Sequence, residues 1–200
     1  YNKAKEILSE LISITDKSDL LDDAYYWLAE SEFRLGQTRE ALRHYNELVS
    51  LFPEGDFADY ALYSIGFIRE NEKNYRAAIE TYRRLLKEYP KSELKSDALY
   101  RSGFAAMSNE EYEFALKIFA TAAKKYPDSK YRGQAEFLIA EIYFKQKAYN
   151  EAIRQYRKFI DQQFDVGLID DCYYGIGWIY LDQGKYSEAI AAFDVLLRKM

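Results

Sequence analysis

Cysteine and histidine are nearly missing from this 200-residue chain, at one each. A single thiol closes no internal disulfide and leaves the redox compartment open. One thiol and one imidazole also fall short of the usual zinc ligand sets. Proline is scarce at 3 and glycine at 9, too little punctuation for a turn-rich β-sandwich. No window approaches the roughly 18 apolar residues of a transmembrane helix. Positive charge is in deficit: 28 Lys and Arg against 33 Asp and Glu give a net −5. That balance argues against nucleic acid as a partner, which would favour a basic face. The sequence opens on Tyr1 and shows no signal peptide, as a processed protein or an excised fragment would.

What is present is a folding composition, 48% hydrophobic and 30% charged, with 20 tyrosines. A repeat of 37 residues organises it. Ala41, Ala78, Ala115, Ala152 and Ala189 keep that interval, and so do Ala29, Gly66, Gly103, Ala140 and Gly177. Two aromatic columns keep it too: Tyr45, Tyr82, Phe119, Tyr156, Phe193, and Tyr26, Tyr63, Tyr100, Phe137, Tyr174. Pro53, Pro90 and Pro127 form a fifth column, with Phe164 in the fourth place. Columns held in phase along the chain identify a repeat array.

Inside each repeat the period is helical. Ala135, Leu138, Ile139, Ile142 and Tyr143 form one apolar stripe, and Tyr149, Ala152, Ile153, Tyr156, Phe159 and Ile160 form a second. A repeat is therefore two helices joined by a polar turn, such as Gly36-Gln37, Glu72-Lys73-Asn74, Asn109-Glu110-Glu111, Lys147 or Gln183-Gly184. Pro90 and Pro127 end second helices, and Ser92 and Ser129 are expected as N-caps of the helices that follow. Glycine inside a helix costs about 1 kcal/mol relative to alanine. Paying it at one phase predicts a close approach of the first helix to the second, near Ala78 and Ala115. The large aromatics at 45, 82, 119, 156 and 193 are expected to fill space between repeats. No single pair buries its apolar face alone, so neighbours must stack.

The expected layout is one array over 1–200. Residues 1–15 form the second helix of a truncated repeat, and five pairs follow at 19–53, 56–90, 93–127, 130–164 and 167–200. Phe193, Leu196 and Leu197 lie in the last helix with no polar capping helix after them, which reads as a piece of a longer array or an end covered by a partner.

This pattern resembles the tetratricopeptide repeat family over the whole chain. The family signature is a small residue, an Ala twelve later, an aromatic four after that and a Pro eight further on. Here these are Gly66, Ala78, Tyr82, Pro90 and Gly103, Ala115, Phe119, Pro127. The period exceeds the usual 34 by three, which is expected to lengthen the first helix backwards. The signature Trp/Leu pair is loose, as Leu62 and Ile65, Leu99 and Ser102, Glu136 and Ile139. The pentatricopeptide family reads RNA, whereas this chain is acidic and keeps the small-residue and proline columns. The extra glycine-rich turn of Sel1-like repeats is missing. Tyr89-Pro90-Lys91-Ser92 and Tyr126-Pro127-Asp128-Ser129 are similar to motifs of bacterial envelope members: the lipoprotein of the outer-membrane β-barrel assembly machine and the Tol–Pal-associated cell-division coordinator. That resemblance implies an all-α, right-handed α-solenoid, a non-enzymatic scaffold with no cofactor or metal, and a periplasmic or outer-membrane-associated setting, with the cytoplasm as the alternative.

It also implies where a partner sits. First helices line the concave face of such a stack. The exposed phases there are Tyr26, Tyr63, Tyr100, Phe137 and Tyr174; then Glu30, Phe67, Phe104, Glu141 and Trp178; then Phe33, Glu70, Met107, Phe144 and Leu181. Asp23, Tyr60, Asp97, Gln134 and Asp171 lie nearer the helix starts. Aromatic rings bury much area at modest entropic cost, and acids orient a basic segment. The expected ligand is a peptide or protein segment with Lys or Arg near Asp23, Asp97 or Asp171. The Tyr26 column can equally pack against the neighbouring repeat.

The remaining polar residues read as structural. His44 is expected at the surface, without a nucleophile or acid set around it. Cys172 stands in the column of Ala24, Ala61, Ala98 and Ala135 and is expected as a buried small residue. Asp22-Asp23, Asp170-Asp171 and Glu110-Glu111 sit near helix starts and Lys124-Lys125 near a helix end, signs that suit the helix dipole. No nucleophile–base pair, phosphate loop or metal cluster supports an enzyme. The competing readings are self-association through open helical ends, and glycan binding in an aromatic groove.

Overall fold

Each half-repeat, with apolar residues three and four apart, folds as one α-helix. The structure, a computed structural model, describes residues 1–14 and 20–198. The expected boundaries at 15, 19 and 200 lie outside the described residues. First helices are α2 (Leu21–Arg34), α4 (Ala58–Asn71), α6 (Lys95–Ser108), α8 (Arg132–Lys145) and α10 (Ile169–Asp182). Second helices are α1 (Asn2–Ile14), α3 (Thr38–Leu51), α5 (Tyr75–Glu88), α7 (Tyr112–Lys125), α9 (Tyr149–Gln162) and α11 (Tyr186–Leu197). Helix starts recur every 37 residues, so the sequence period is the structural period. No strand occurs among the described residues. The first helices have 14 residues, the same as α3, α5, α7 and α9.

The chain forms two compact units that divide between Asn109 and Glu110. In the first, α1 to α6 pack in order, and α4 also touches α6. In the second, α7 to α11 pack in order, and α8 also touches α10. Contact of first helix with first helix is the stacking of a helix-pair solenoid, and both units are built this way.

The small column does make room, but for a ring. A Cβ on Gly66 would stand 2.5 Å from Tyr82 Cε1, and one on Gly177 would stand 2.5 Å from Phe193 Cε1. The close approach is thus to the second helix of the same pair, at the aromatic one turn after the alanine column. The rings also reach the next repeat: a Cβ on Gly175 of α10 would stand 2.8 Å from Tyr156 Cζ of α9. Ala41, Ala78, Ala115, Ala152 and Ala189 are all buried.

The turns hold a column that the sequence only half shows. Gly36, Lys73, Glu110, Lys147 and Gly184 are 37 apart and all have positive φ, at 76°, 59°, 61°, 57° and 70°. This left-handed residue closes the first helix. Lys73 N–H donates to Glu70 O (2.9 Å) and Asn74 N–H to Arg69 O (2.8 Å); Lys147 and Ala148 repeat the pattern on Phe144 and Tyr143.

Two serines depart from their expected role. α6 and α8 have Leu94 and Tyr131 at their N-caps, without side-chain capping. Ser92 Oγ instead accepts from Leu94 N (3.0 Å) and Ser129 Oγ from Tyr131 N (3.2 Å), which fixes the linker bend before each helix. The linker between α9 and α10, where Phe164 stands in the proline column, behaves differently. α9 ends on left-handed Gln163, and Asp165 caps a short 3-10 turn, Val166–Leu168.

Candidate functional site

The buried rings of three second helices aim their hydroxyls at acids on their own first helices. Tyr45 Oη donates to Glu30 (2.9 Å), Tyr82 Oη to Glu70 (3.2 Å), and Tyr156 Oη to Glu141. Burial first, and the facing carboxylate next, raises each phenol above its ordinary pKa. The acids stand one residue after the small position (Glu30, Glu141) or four after it (Glu70). The other two repeats carry Phe119 and Phe193, and at those phases Phe104 with Met107 and Trp178 with Leu181. A hydroxyl is present only where the repeat also carries an acid. Glu70, expected to be exposed, is buried and also paired with Arg101 Nη1 at 2.9 Å. Glu30 is half-buried and takes Arg34 as well.

In the first unit most expected contact residues serve as packing. Tyr26 stacks on Phe57 at 4.7 Å, Tyr63 leans on Tyr82 at 5.8 Å, and Phe33 meets Phe67 edge-on at 6.2 Å. The Arg101 guanidinium covers Phe67 at 4.9 Å. Tyr100, Phe104 and Met107 are half-buried on α6. Sequence reasoning missed one prominent group: Trp27 is 50% exposed beside Tyr26 and Phe57. Its signal was a broken column, since Ser64, Arg101, Leu138 and Gly175 hold that phase elsewhere.

In the second unit the α8 residues are again partly covered. Phe137 packs on Tyr156 and Phe159, Phe144 leans on Tyr149, and Glu141 binds Tyr156. On α10 the surface opens. Tyr174 is 53% and Trp178 44% exposed, and their rings meet edge-on at 6.0 Å. Leu181 and Asp171 are exposed on the same strip, because positions 171, 174, 178 and 181 share one helical face.

His44 is a correction. It lies 8% exposed rather than at the surface, and its Nδ1 is 2.6 Å from the buried Glu32 carboxylate. Its Nε2 faces Arg43 Nη2 at 2.6 Å. Arginine only donates, so the ring accepts at Nε2 and donates from Nδ1 to Glu32. Lys5 of α1 adds a third contact, 3.5 Å from Glu32 Oε1. Three helices therefore meet at one carboxylate, which gives His44 a structural task. Cys172 is buried, and burial, followed by Asp171 and Glu141, pushes its thiol up to about 12. Asp22 accepts the backbone N–H of Asp56 at 3.1 Å and so ties α2 to the linker before α4. Among the described residues no group of three or more His, Cys, Asp or Glu is placed to hold a metal ion, and no helix is long and apolar enough to cross a membrane.

The fold and its faces are those of an α-helical repeat protein with aromatic and acidic surface strips. Comparison with known proteins agrees. A tetratricopeptide repeat model matches residues 23–55 and 60–92, and a model of the YfiO outer membrane lipoprotein family matches residues 92–187. Comparison with the curated proteins finds no match. Among solved structures, MamA 41-end from Desulfovibrio magneticus RS-1 is similar at 20% identity and TM-score 0.71, over 88% of this chain and 93% of that one. A tetratricopeptide repeat protein from Parabacteroides merdae ATCC 43184 gives 20% and 0.71, over 97% and 71%. YrrB, described as a TPR protein with an unusual peptide-binding site, gives 19% and 0.68, over 95% and 90%. These structural likenesses concern the fold. The family model finds tetratricopeptide repeats within residues 23–92, and the likeness to solved bacterial structures extends the same fold along the chain.

Proposed function

We propose that this chain is a non-enzymatic interaction module that holds a protein or peptide segment against the exposed aromatic faces of its first helices, in a bacterial envelope assembly. The observation that carries the reading is the α10 strip. Tyr174, Trp178 and Leu181 stay exposed on one face beside Asp171, whereas Tyr45, Tyr82, Phe119 and Tyr156 are buried within their pairs. Rings of this kind give large contact area at low entropic cost, and the acid selects for a basic neighbour. The match to an outer membrane lipoprotein family supports the envelope setting, and YrrB's described peptide-binding site supports the ligand class. The test is capture of partners from a bacterial envelope extract on the chain and on a Tyr174→Ala/Trp178→Ala variant with unchanged helix content by circular dichroism. A partner lost on the variant is the expected result; equal capture by both would remove the strip from the function.

A second reading, self-association, draws on α11, where Tyr186, Ile190 and Leu197 are exposed. It requires a mass that rises with concentration in analytical ultracentrifugation and falls back on Ile190→Glu.

A further inference from the structure

Trp27 anchors a patch that the repeat does not require. Other repeats fold with Ser64, Arg101, Leu138 or Gly175 at its phase, and with Asp23, Asp97, Gln134 or Asp171 at the phase of Tyr60. Both large rings are therefore additions to the pattern, and both are exposed, at 50% and 37%. They join Tyr26 and Phe57 in one cluster of the first unit. Trp27 lies 5.2 Å from Tyr26 and 6.1 Å from Phe57, and Tyr60 lies 6.2 Å and 5.8 Å from the same two rings.

The surroundings of this cluster in the chain are acidic. Asp22 and Asp23 open α2, and Asp56 and Asp59 flank Phe57 in sequence. Asp23 feels both Asp22 and Asp56, which, after burial, raise its carboxyl above its ordinary value. Among the described residues these carboxylates accept only backbone N–H groups, from Asp23 and Asp56 on Asp22 and from Tyr60 on Asp59. Asp23 stands one helical turn before Trp27 on α2, and Asp56 directly precedes Phe57; rings and carboxylates placed together in this way attract an organic cation.

The protein itself shows what such a surface takes. On α4, Phe67 and Glu70 hold Arg101 of the neighbouring α6, with the guanidinium 4.9 Å over the ring and 2.9 Å from the carboxylate. Arg101 occupies the Trp27 phase of its own repeat. Around Trp27, ring and acid are both present and, among the described residues, no Lys or Arg stands over the rings.

We propose that the Tyr26–Trp27–Phe57–Tyr60 patch binds an arginine side chain presented by a basic segment of a partner protein, with Asp23 and Asp56 as counter-charges. The inference rests on the reading of the chain as a peptide-binding module and names the chemistry that one of its faces selects. It uses residues of the first unit alone, so it stands or falls apart from the α10 strip.

The probe is fluorescein-labelled tetra-arginine, titrated with the 200-residue chain and followed by anisotropy, beside tetra-citrulline of the same shape without charge. Trp27→Leu keeps the net charge and is expected to weaken tetra-arginine binding at least about fivefold, with Trp27→Tyr between it and the parent. Asp23→Asn/Asp56→Asn is expected to weaken binding at least about fivefold and to flatten its salt dependence, whereas the charge-matched Glu80→Gln/Glu88→Gln leaves it unchanged. Circular dichroism checks helix content for each variant. Parent-like binding by Trp27→Leu, equal affinity for tetra-citrulline, or no binding of tetra-arginine would each overturn the proposal. None of these bears on the Tyr174/Trp178 capture result, so failure here is distinguishable from failure of the module reading.

Discussion

Tyr82 and Glu70 share a hydrogen bond of 3.2 Å inside the α4–α5 pair, and Arg101 holds the other oxygen of the same carboxylate at 2.9 Å. Each oxygen has its own donor, which is how a buried acid is tolerated. Tyr82→Phe removes one donor and leaves the ring in place. It is expected to cost about 1–2 kcal/mol in urea unfolding, and Tyr156→Phe a similar amount. Phe193→Tyr adds a hydroxyl where the repeat carries no acid; pairing it with Trp178→Glu is expected to recover part of the loss in a double-mutant cycle.

Alkaline pH should unfold the protein through these same phenols. Tyr45, Tyr82 and Tyr156 are raised above the unfolded value near 10, first by burial and then by Glu30, Glu70 and Glu141. The folded state therefore favours the protonated phenol. Its stability is complete below about pH 10 and falls as the unfolded chain ionises above it, by about 1.4 kcal/mol per pH unit for each tyrosine. Cys172 adds the same sign between its ordinary value of 9.0 and about 12. Urea midpoints near pH 8, 10 and 11 measure this, and Tyr82→Phe should shallow the slope by about one proton. A flat profile to pH 11 would contradict the burial of these groups.

Lys73 and Lys147 pay a backbone cost that Gly36 and Gly184 avoid. Their φ of 59° and 57° is the left-handed region, where a side chain costs about 1 kcal/mol or more. Lys73→Gly and Lys147→Gly should each stabilise the fold by about 0.5–1 kcal/mol, after the entropy of the added glycine is counted. Gly36→Lys should destabilise by a similar amount. Thermal melts of the three variants check the sign.

Gly66→Ala gains about 1 kcal/mol of helix propensity but drives a Cβ to 2.5 Å from a fully buried ring. Overpacking of this kind costs about 1–3 kcal/mol, so a net loss of about 1 kcal/mol is expected. Gly177→Ala faces the half-buried Phe193, which can give way, and should cost less. Comparing the two by urea unfolding separates ring burial from propensity.

The helix pairs were legible because repetition amplifies weak signals. One small residue at position 66 means little, but five at one phase fix the helix, its partner and the turn. The same repetition concealed other features. His44 looked like a surface residue because its anchor, Glu32, lies on another helix, and its third contact comes from Lys5. The serines looked like N-caps because a cap and a turn two residues earlier use the same residue type. Glu70 looked solvent-facing by phase, and only packing of α6 against α4 reveals Arg101 above it. The Trp27 patch lies where two columns break, so the 37-residue period does not mark it.

The tyrosine–acid bonds have an evolutionary consequence. Each joins two helices of one repeat, so a duplicated or excised 37-residue segment carries its own polar partner with it. Unequal recombination can then alter copy number without stranding a buried hydroxyl. The bond from Arg101 to Glu70 crosses between repeats instead. A crossover that separated those two would leave the buried Glu70 with Tyr82 as its one side-chain donor among the described residues, so the second repeat draws part of its polar balance from the third.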